Sequence, residues 1–179
     1  MKELPNKLTA ARFGMVALFP VCFFGIAPLA GLAMYVLAFL TDVLDGYLAR
    51  KYDAVTPWGQ TMDPLADKLM LSMTLLCLAI DGRVPWWFFI VVTAKDVVMV
   101  VIGLFMYSKM DRFIQPANIV GKLATFSYML AIVLSFFNLP KLSGYDIALT
   151  LLYIAFALSL VAFATYAWGF GKRFFARSK

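Results

Sequence analysis

The chain has 179 residues, 63% of them hydrophobic and 15% charged, with 16 Lys and Arg against 10 Asp and Glu. Soluble domains are typically about 45–50% apolar and about 25% charged, so these side chains cannot build a water-facing surface and the bilayer is the expected solvent. The positive balance fits the cytoplasmic loops of a membrane protein better than a nucleic-acid interface, and without histidine acid–base or metal chemistry falls to carboxylates and lysines.

A transmembrane helix needs roughly 20 mostly apolar residues. Taken in chain order, a short interfacial segment over 1–10 leads into apolar runs expected to be helices at 8–24, 29–47, 62–80, 86–106, 118–137 and 145–170. The breaks at 25–28, 81–85 and 138–144 are short and hold only Arg83 and Lys141. Apart from Lys95 at mid-span, the remaining Lys and Arg fall on the opposite side. Positive residues stay preferentially in the cytoplasm, so both termini are expected there. The expected architecture is an all-α integral membrane protein, a single domain over 1–179 with six transmembrane helices. Cys22 and Cys77 lie inside apolar runs, where a thiol behaves as a small hydrophobe.

The second and third runs carry a cluster of acids that hydrophobicity does not explain. A carboxylate in a membrane helix costs about 2.5–3.5 kcal/mol, yet Asp42, Asp45, Asp63 and Asp67 gather at the facing ends of two adjacent spans. Asp42, Asp45, Gly46 and Ala49 follow one helix face, and Gly59, Asp63 and Asp67 repeat every four residues on the next. Thr56 can cap the second of these helices, with Pro57 at its first position. Carboxylates without histidine or thiolate form a hard-oxygen site suited to Mg²⁺, Mn²⁺ or Ca²⁺, and paired ions of that kind suit phosphoryl transfer. One alternative is plain ion pairing, of Asp42 or Asp45 with Arg50 and of Asp67 with Lys68. Another is a cation pathway; carboxylates serving one would usually sit near the midplane, whereas these four lie beside a cytoplasmic turn.

Asp42, Asp45, Gly46, Ala49, Arg50, Gly59, Asp63 and Asp67 match at every position the signature D-x-x-D-G-x-x-A-R, eight residues, G-x-x-x-D-x-x-x-D. In this the chain resembles the CDP-alcohol phosphotransferase family. The resemblance implies a six-helix enzyme of the cytoplasmic (inner) membrane, commonly a homodimer, whose site faces the cytoplasm. There an alcohol acceptor, small or lipid, displaces CMP from CDP-diacylglycerol. By the same resemblance Asp42, Asp45, Asp63 and Asp67 hold two divalent cations, Mg²⁺ or Mn²⁺, on the pyrophosphate, and Asp67 is also the general base. Asp42, Gly46, Ala49, Arg50 and Gly59 contribute to the nucleotide pocket.

The stretch LPNKLTAARF at 4–13 resembles the P-N-x-L-T-x-x-R opening of phosphatidylglycerolphosphate synthases and of related cardiolipin synthases, which implies that Asn6, Thr9 and Arg12 lie near the nucleotide or phosphates. GKLAT at 121–125 matches the G-K-x-x-T of the same synthases. Lys122, with Arg112 and Lys109, is then a basic group that could hold an acceptor phosphate or simply a positive cytoplasmic loop. Lys95-Asp96 stands where glycerolphosphate-using members carry Arg-Glu and cardiolipin synthases Arg-Asp, so Lys95 is an acceptor ligand or a partner of its neighbours. The expected reaction is phosphatidyl transfer from CDP-diacylglycerol to sn-glycerol 3-phosphate. The alternatives are a cardiolipin synthase or another CDP-alcohol phosphatidyltransferase, and, outside enzymes, a cation transporter.

Overall fold

A computed structural model describes residues 4–51, 57–109, 119–137 and 146–177, and among them every regular element is helical. Helix α1 spans Leu4–Pro20. Pro20 has no N–H to return to the Val16 carbonyl, and the chain continues as a π-helical segment, Val21–Ile26, closed by the Ala27 N–H donating to the Cys22 carbonyl at 3.1 Å. Ala27 is extended, and Pro28 opens α2 (Pro28–Lys51) with its φ already set for a first helical residue. The four-residue break expected at 25–28 is thus reduced to one residue. The return is tight: a Cβ on Gly31 would stand 2.9 Å from a ring carbon of Phe23 and 3.4 Å from its Cα.

Helix α3 spans Pro57–Ile80: it begins at Pro57, the first helical position expected from the sequence, five residues before the apolar run at 62–80, because Pro57 can start a helix even where the sequence is not yet apolar. Thr56, its expected cap, lies outside the described residues. Gly82, at φ +78°, ends the helix: the Gly82 N–H donates to the Ala79 carbonyl and the Arg83 N–H to the Leu78 carbonyl, the paired bonds of a left-handed C-terminal cap. Helix α4 (Trp86–Lys109) follows directly after Pro85.

The chain divides into two compact units, Met1–Leu104 and Phe105–Lys179. In the first, α1 packs against both α2 and α3, and the core between them holds Val16, Phe19, Phe23, Leu32, Tyr35, Met70, Leu75 and Leu78. In the second, α5 (Ile119–Ser135) packs against α6 (Ile147–Arg177) along a seam of Ala124, Tyr128, Ala131 and Ser135 facing Ala148, Leu152, Ala155, Ser159 and Ala162. Small residues let two membrane helices approach closely. Asp146 caps α6, accepting a hydrogen bond from the Leu149 N–H at 3.1 Å.

Among the described residues, three stretches are long and apolar enough to cross a membrane, Thr9–Ile26, Trp86–Leu104 and Ile147–Trp168, and Pro28–Leu44 and Ile119–Ser135 are shorter apolar helices. Helix α3 differs because Asp63, Asp67 and Lys68 occupy its first half. Large apolar side chains such as Leu18, Phe24, Leu37, Leu40, Ile90, Val97, Val101 and Leu160 face outward, as a lipid-facing surface requires.

Candidate active site

The residues that pack the first unit also aim its polar ends at one another. Along α1 and the π-helical segment that continues it, Thr9, Arg12, Val16, Phe19 and Phe23 recur every three or four residues, and all five are buried. The register that sends the aromatics into the core therefore sends Arg12 inward about two to three turns earlier. On α2 the buried Leu32, Tyr35 and Ala38 lead to Asp42. On α3 the buried Leu78, Thr74, Met70 and Ala66 lead back to Asp67 and Asp63.

The three stripes meet around the Arg12 guanidinium. Its Nη1 donates to Asp42 Oδ1 and Asp67 Oδ1, each at 2.8 Å, and its Nη2 lies 3.6 Å from Asp63 Oδ1. One turn before Arg12, the Thr9 hydroxyl donates to Asp63 Oδ1 at 2.5 Å. The arginine side chain is only 2% exposed, whereas those of Asp42, Asp63 and Asp67 remain 37%, 34% and 45% exposed. The guanidinium thus lies beneath the carboxylates, which keep an open outer face. A buried guanidinium needs such partners, because an unpaired buried charge is costly.

Three carboxylates against one guanidinium leave two negative charges, and all the oxygens are hard donors. That set fits a divalent cation of the Mg²⁺ or Mn²⁺ class approached from the exposed side. Among the described residues no three acidic side chains form a ready ligand cage, since Arg12 stands between them; the side chain of Asp45 lies outside those residues.

The profile of the CDP-alcohol phosphatidyltransferase family matches residues 2–164, a stretch that contains all three helices and all four aspartates. The chain belongs to this family. It is 32% identical to a CDP-diacylglycerol–glycerol-3-phosphate 3-phosphatidyltransferase of Bacillus subtilis over 90% of this chain and 92% of that protein. An enzyme of the same name from Mycoplasma pneumoniae is 32% identical over 93% and 86%. A probable phosphatidylglycerophosphate synthase of Mycobacterium tuberculosis is 34% identical over 79% and 68%.

The remaining positions expected to matter in this family member fall in different places. Gly46 is half-buried near the end of α2. The side chains of Asn6, Ala49 and Arg50, the surroundings of Gly59, and Arg112 entirely, lie outside the described residues. Lys122 is exposed in the first turns of α5, in the second unit. Lys95 is half-buried on α4 with its side chain largely covered, and its Nζ lies 2.7 Å from Asp96 Oδ1.

Of the ion pairs weighed as an alternative from sequence, Asp67 with Lys68 is corrected, whereas the pairing of Asp42 or Asp45 with Arg50 lies outside the described residues. Asp67 takes Arg12, and Lys68 reaches from α3 to the buried Asp96 on α4, with Nζ 3.2 Å from the same Oδ1 that Lys95 contacts. A residue prefers a partner across a helix interface to a sequence neighbour whose side chain points elsewhere. Two features were missed: the central place of Arg12, and the two-lysine clasp on Asp96. The register of Arg12 with Val16, Phe19 and Phe23 was the available signal for the first.

Proposed function

We propose that this family member transfers the phosphatidyl group of CDP-diacylglycerol to sn-glycerol 3-phosphate, giving phosphatidylglycerolphosphate and CMP. The observation that carries the reading is the convergence of Asp42, Asp63 and Asp67 from two helices on one point, with outward faces open. The names of the relatives support the choice of acceptor. Asp42, Asp45, Asp63 and Asp67 are the proposed ligands for two divalent ions, Mg²⁺ or Mn²⁺. Bound there, such ions would offset negative charge on the pyrophosphate and on the departing CMP.

The chain's own groups do the rest. Asp42, Gly46, Ala49, Arg50 and Gly59, with Asn6 and Thr9 from α1, are assigned to the nucleotide. Asp67 accepts the proton of the acceptor hydroxyl as its oxygen bonds to the phosphatidyl phosphorus, and the bond from that phosphorus to the bridging oxygen breaks with its electron pair leaving on CMP. A carboxylate is a weak base in water, so its contribution comes from position. Lys95, Arg112 and Lys122 are each assigned to the acceptor, whose phosphate monoester needs cationic partners.

The topology that goes with this reading has six membrane spans in one domain over 1–179, both termini in the cytoplasm, a multi-pass location in the cytoplasmic membrane, and a homodimer. Helix α3 completes the six, because its acids face a polar site rather than lipid. The test is an acceptor comparison with purified protein, labelled CDP-diacylglycerol and Mg²⁺ or Mn²⁺. Product is expected with sn-glycerol 3-phosphate and not with phosphatidylglycerol; a preference for phosphatidylglycerol would make the chain a cardiolipin synthase.

A further inference from the structure

We propose that Arg12 is a positioning residue that acts as a built-in counter-cation: it gathers Asp42, Asp63 and Asp67 when no divalent ion is bound, and it competes with that ion for them. The proposal rests on the metal-dependent reading above and adds to it a residue on the opposite helix from the acids. Arg12 is nearly inaccessible, and its neighbours Thr9 and Val16 on the same stripe are buried with it. It cannot swing into water without dragging a packed helix face. Its fork reaches carboxylates on two different helices, which a compact ammonium could not do with the same geometry.

The arrangement solves a problem that the acids create. Three carboxylates clustered on helices otherwise apolar repel one another and would splay apart before substrate arrives. Arg12 from below, helped by the Thr9 hydroxyl on Asp63, holds them close while their upper faces remain open. An ion arriving from the open side must then share oxygens with a fixed positive charge. That charge lowers the affinity of the empty site for divalent ions, so that tight binding awaits the added negative charge of a pyrophosphate. A purely structural salt bridge makes the opposite prediction: removing Arg12 would disorder the acids and weaken ion binding.

The test uses the full chain in nanodiscs, with Mn²⁺ as probe and neither CDP-lipid nor acceptor present. Free Mn²⁺ is followed by electron paramagnetic resonance and stability by thermal unfolding. A unit charge a few ångströms from a divalent ion, even in a partly screened setting, is worth more than a decade in affinity. Arg12→Gln should therefore bind Mn²⁺ at least about tenfold more tightly than wild type, unfold at a lower temperature without metal, and regain wild-type stability at saturating Mn²⁺. Arg12→Lys, which keeps the charge, should stay much closer to wild type in Mn²⁺ affinity. Weaker or unchanged Mn²⁺ binding by folded Arg12→Gln overturns the proposal. If Arg12→Gln does not fold without metal, preparation throughout in saturating Mn²⁺ should recover it, and failure to do so also overturns the proposal. In a parallel assay supplied with CDP-diacylglycerol and sn-glycerol 3-phosphate, wild-type chain that binds Mn²⁺ yet releases no CMP would sink the enzymatic reading and leave the Arg12 result standing. Normal wild-type turnover with unaltered Mn²⁺ affinity in Arg12→Gln would sink only the role of Arg12.

Discussion

Asp67→Asn separates proton transfer from architecture at a single atom. The amide has the shape of the carboxylate and keeps an acceptor oxygen, so Arg12 Nη1 retains a partner at the position now 2.8 Å away. Exchanging a charged acceptor for a neutral one weakens the bond, but the guanidinium donor stays ionised, so the bond remains charge-assisted, at the low end of about 1.5–3 kcal/mol. Loss of repulsion from Asp42 and Asp63 offsets part of this. The net change is about 1 kcal/mol or less, a Tm shift of no more than about 2–4 °C for a chain of this size. Catalysis should respond on another scale, since a positioned general base contributes about 10²–10⁴-fold, or about 3–5 kcal/mol of barrier. The assay runs CDP-diacylglycerol binding and single-turnover CMP release in parallel at saturating Mn²⁺, so that weakened metal binding is not read as lost proton transfer. Lipid binding should persist while turnover collapses. Turnover within a few-fold of wild type would refute the reasoning and leave Asp67 a ligand only.

Three further expectations follow from other parts of the molecule. Asp63→Asn should raise the Mn²⁺ concentration needed for half-maximal CMP release; an unchanged metal requirement would remove Asp63 from the ligand set. Lys122→Ala should raise KM for sn-glycerol 3-phosphate far more than KM for CDP-diacylglycerol, and equal changes would point to a structural role. Gly31→Ala places a methyl group 2.9–3.4 Å from Phe23; overpacking of this kind costs about 1–3 kcal/mol. Tm should therefore fall by several degrees, and an unchanged Tm would mean that the turn from the π-helical segment into α2 has more slack than its geometry implies.

The acidic motif was legible because helical spacing alone puts Asp42 on one face and Asp63 and Asp67 on another, and because carboxylates among apolar residues demand a reason. What they would meet was not legible. Arg12 lies 30 residues before Asp42 and 55 before Asp67, and sequence distance says nothing about which stripes face each other across a helix packing. Pairing by proximity, the alternative weighed from sequence, would give Asp67 to Lys68, although these two side chains diverge around the helix and Lys68 finds Asp96 on α4. The start of α3 was legible from its proline rather than from its hydrophobicity: Pro57 was expected at the first helical position, although the apolar run begins only at 62. Apolar runs mark where lipid begins, whereas Pro57 and Pro28 mark where the backbone begins to coil. The π-helical segment after Pro20 had no signal in hydrophobicity, because the missing proline N–H acts on the hydrogen-bond ladder and leaves the apolar pattern intact.

The most direct measurement of the central claim is CMP release by the purified chain supplied with CDP-diacylglycerol and Mg²⁺ or Mn²⁺, with and without sn-glycerol 3-phosphate, counting the lipid product alongside. The carboxylate site and its family membership predict release only when both acceptor and divalent ion are present, with one phosphatidylglycerolphosphate formed for each CMP. Release that ignores the acceptor, or none under any of these conditions, would contradict it.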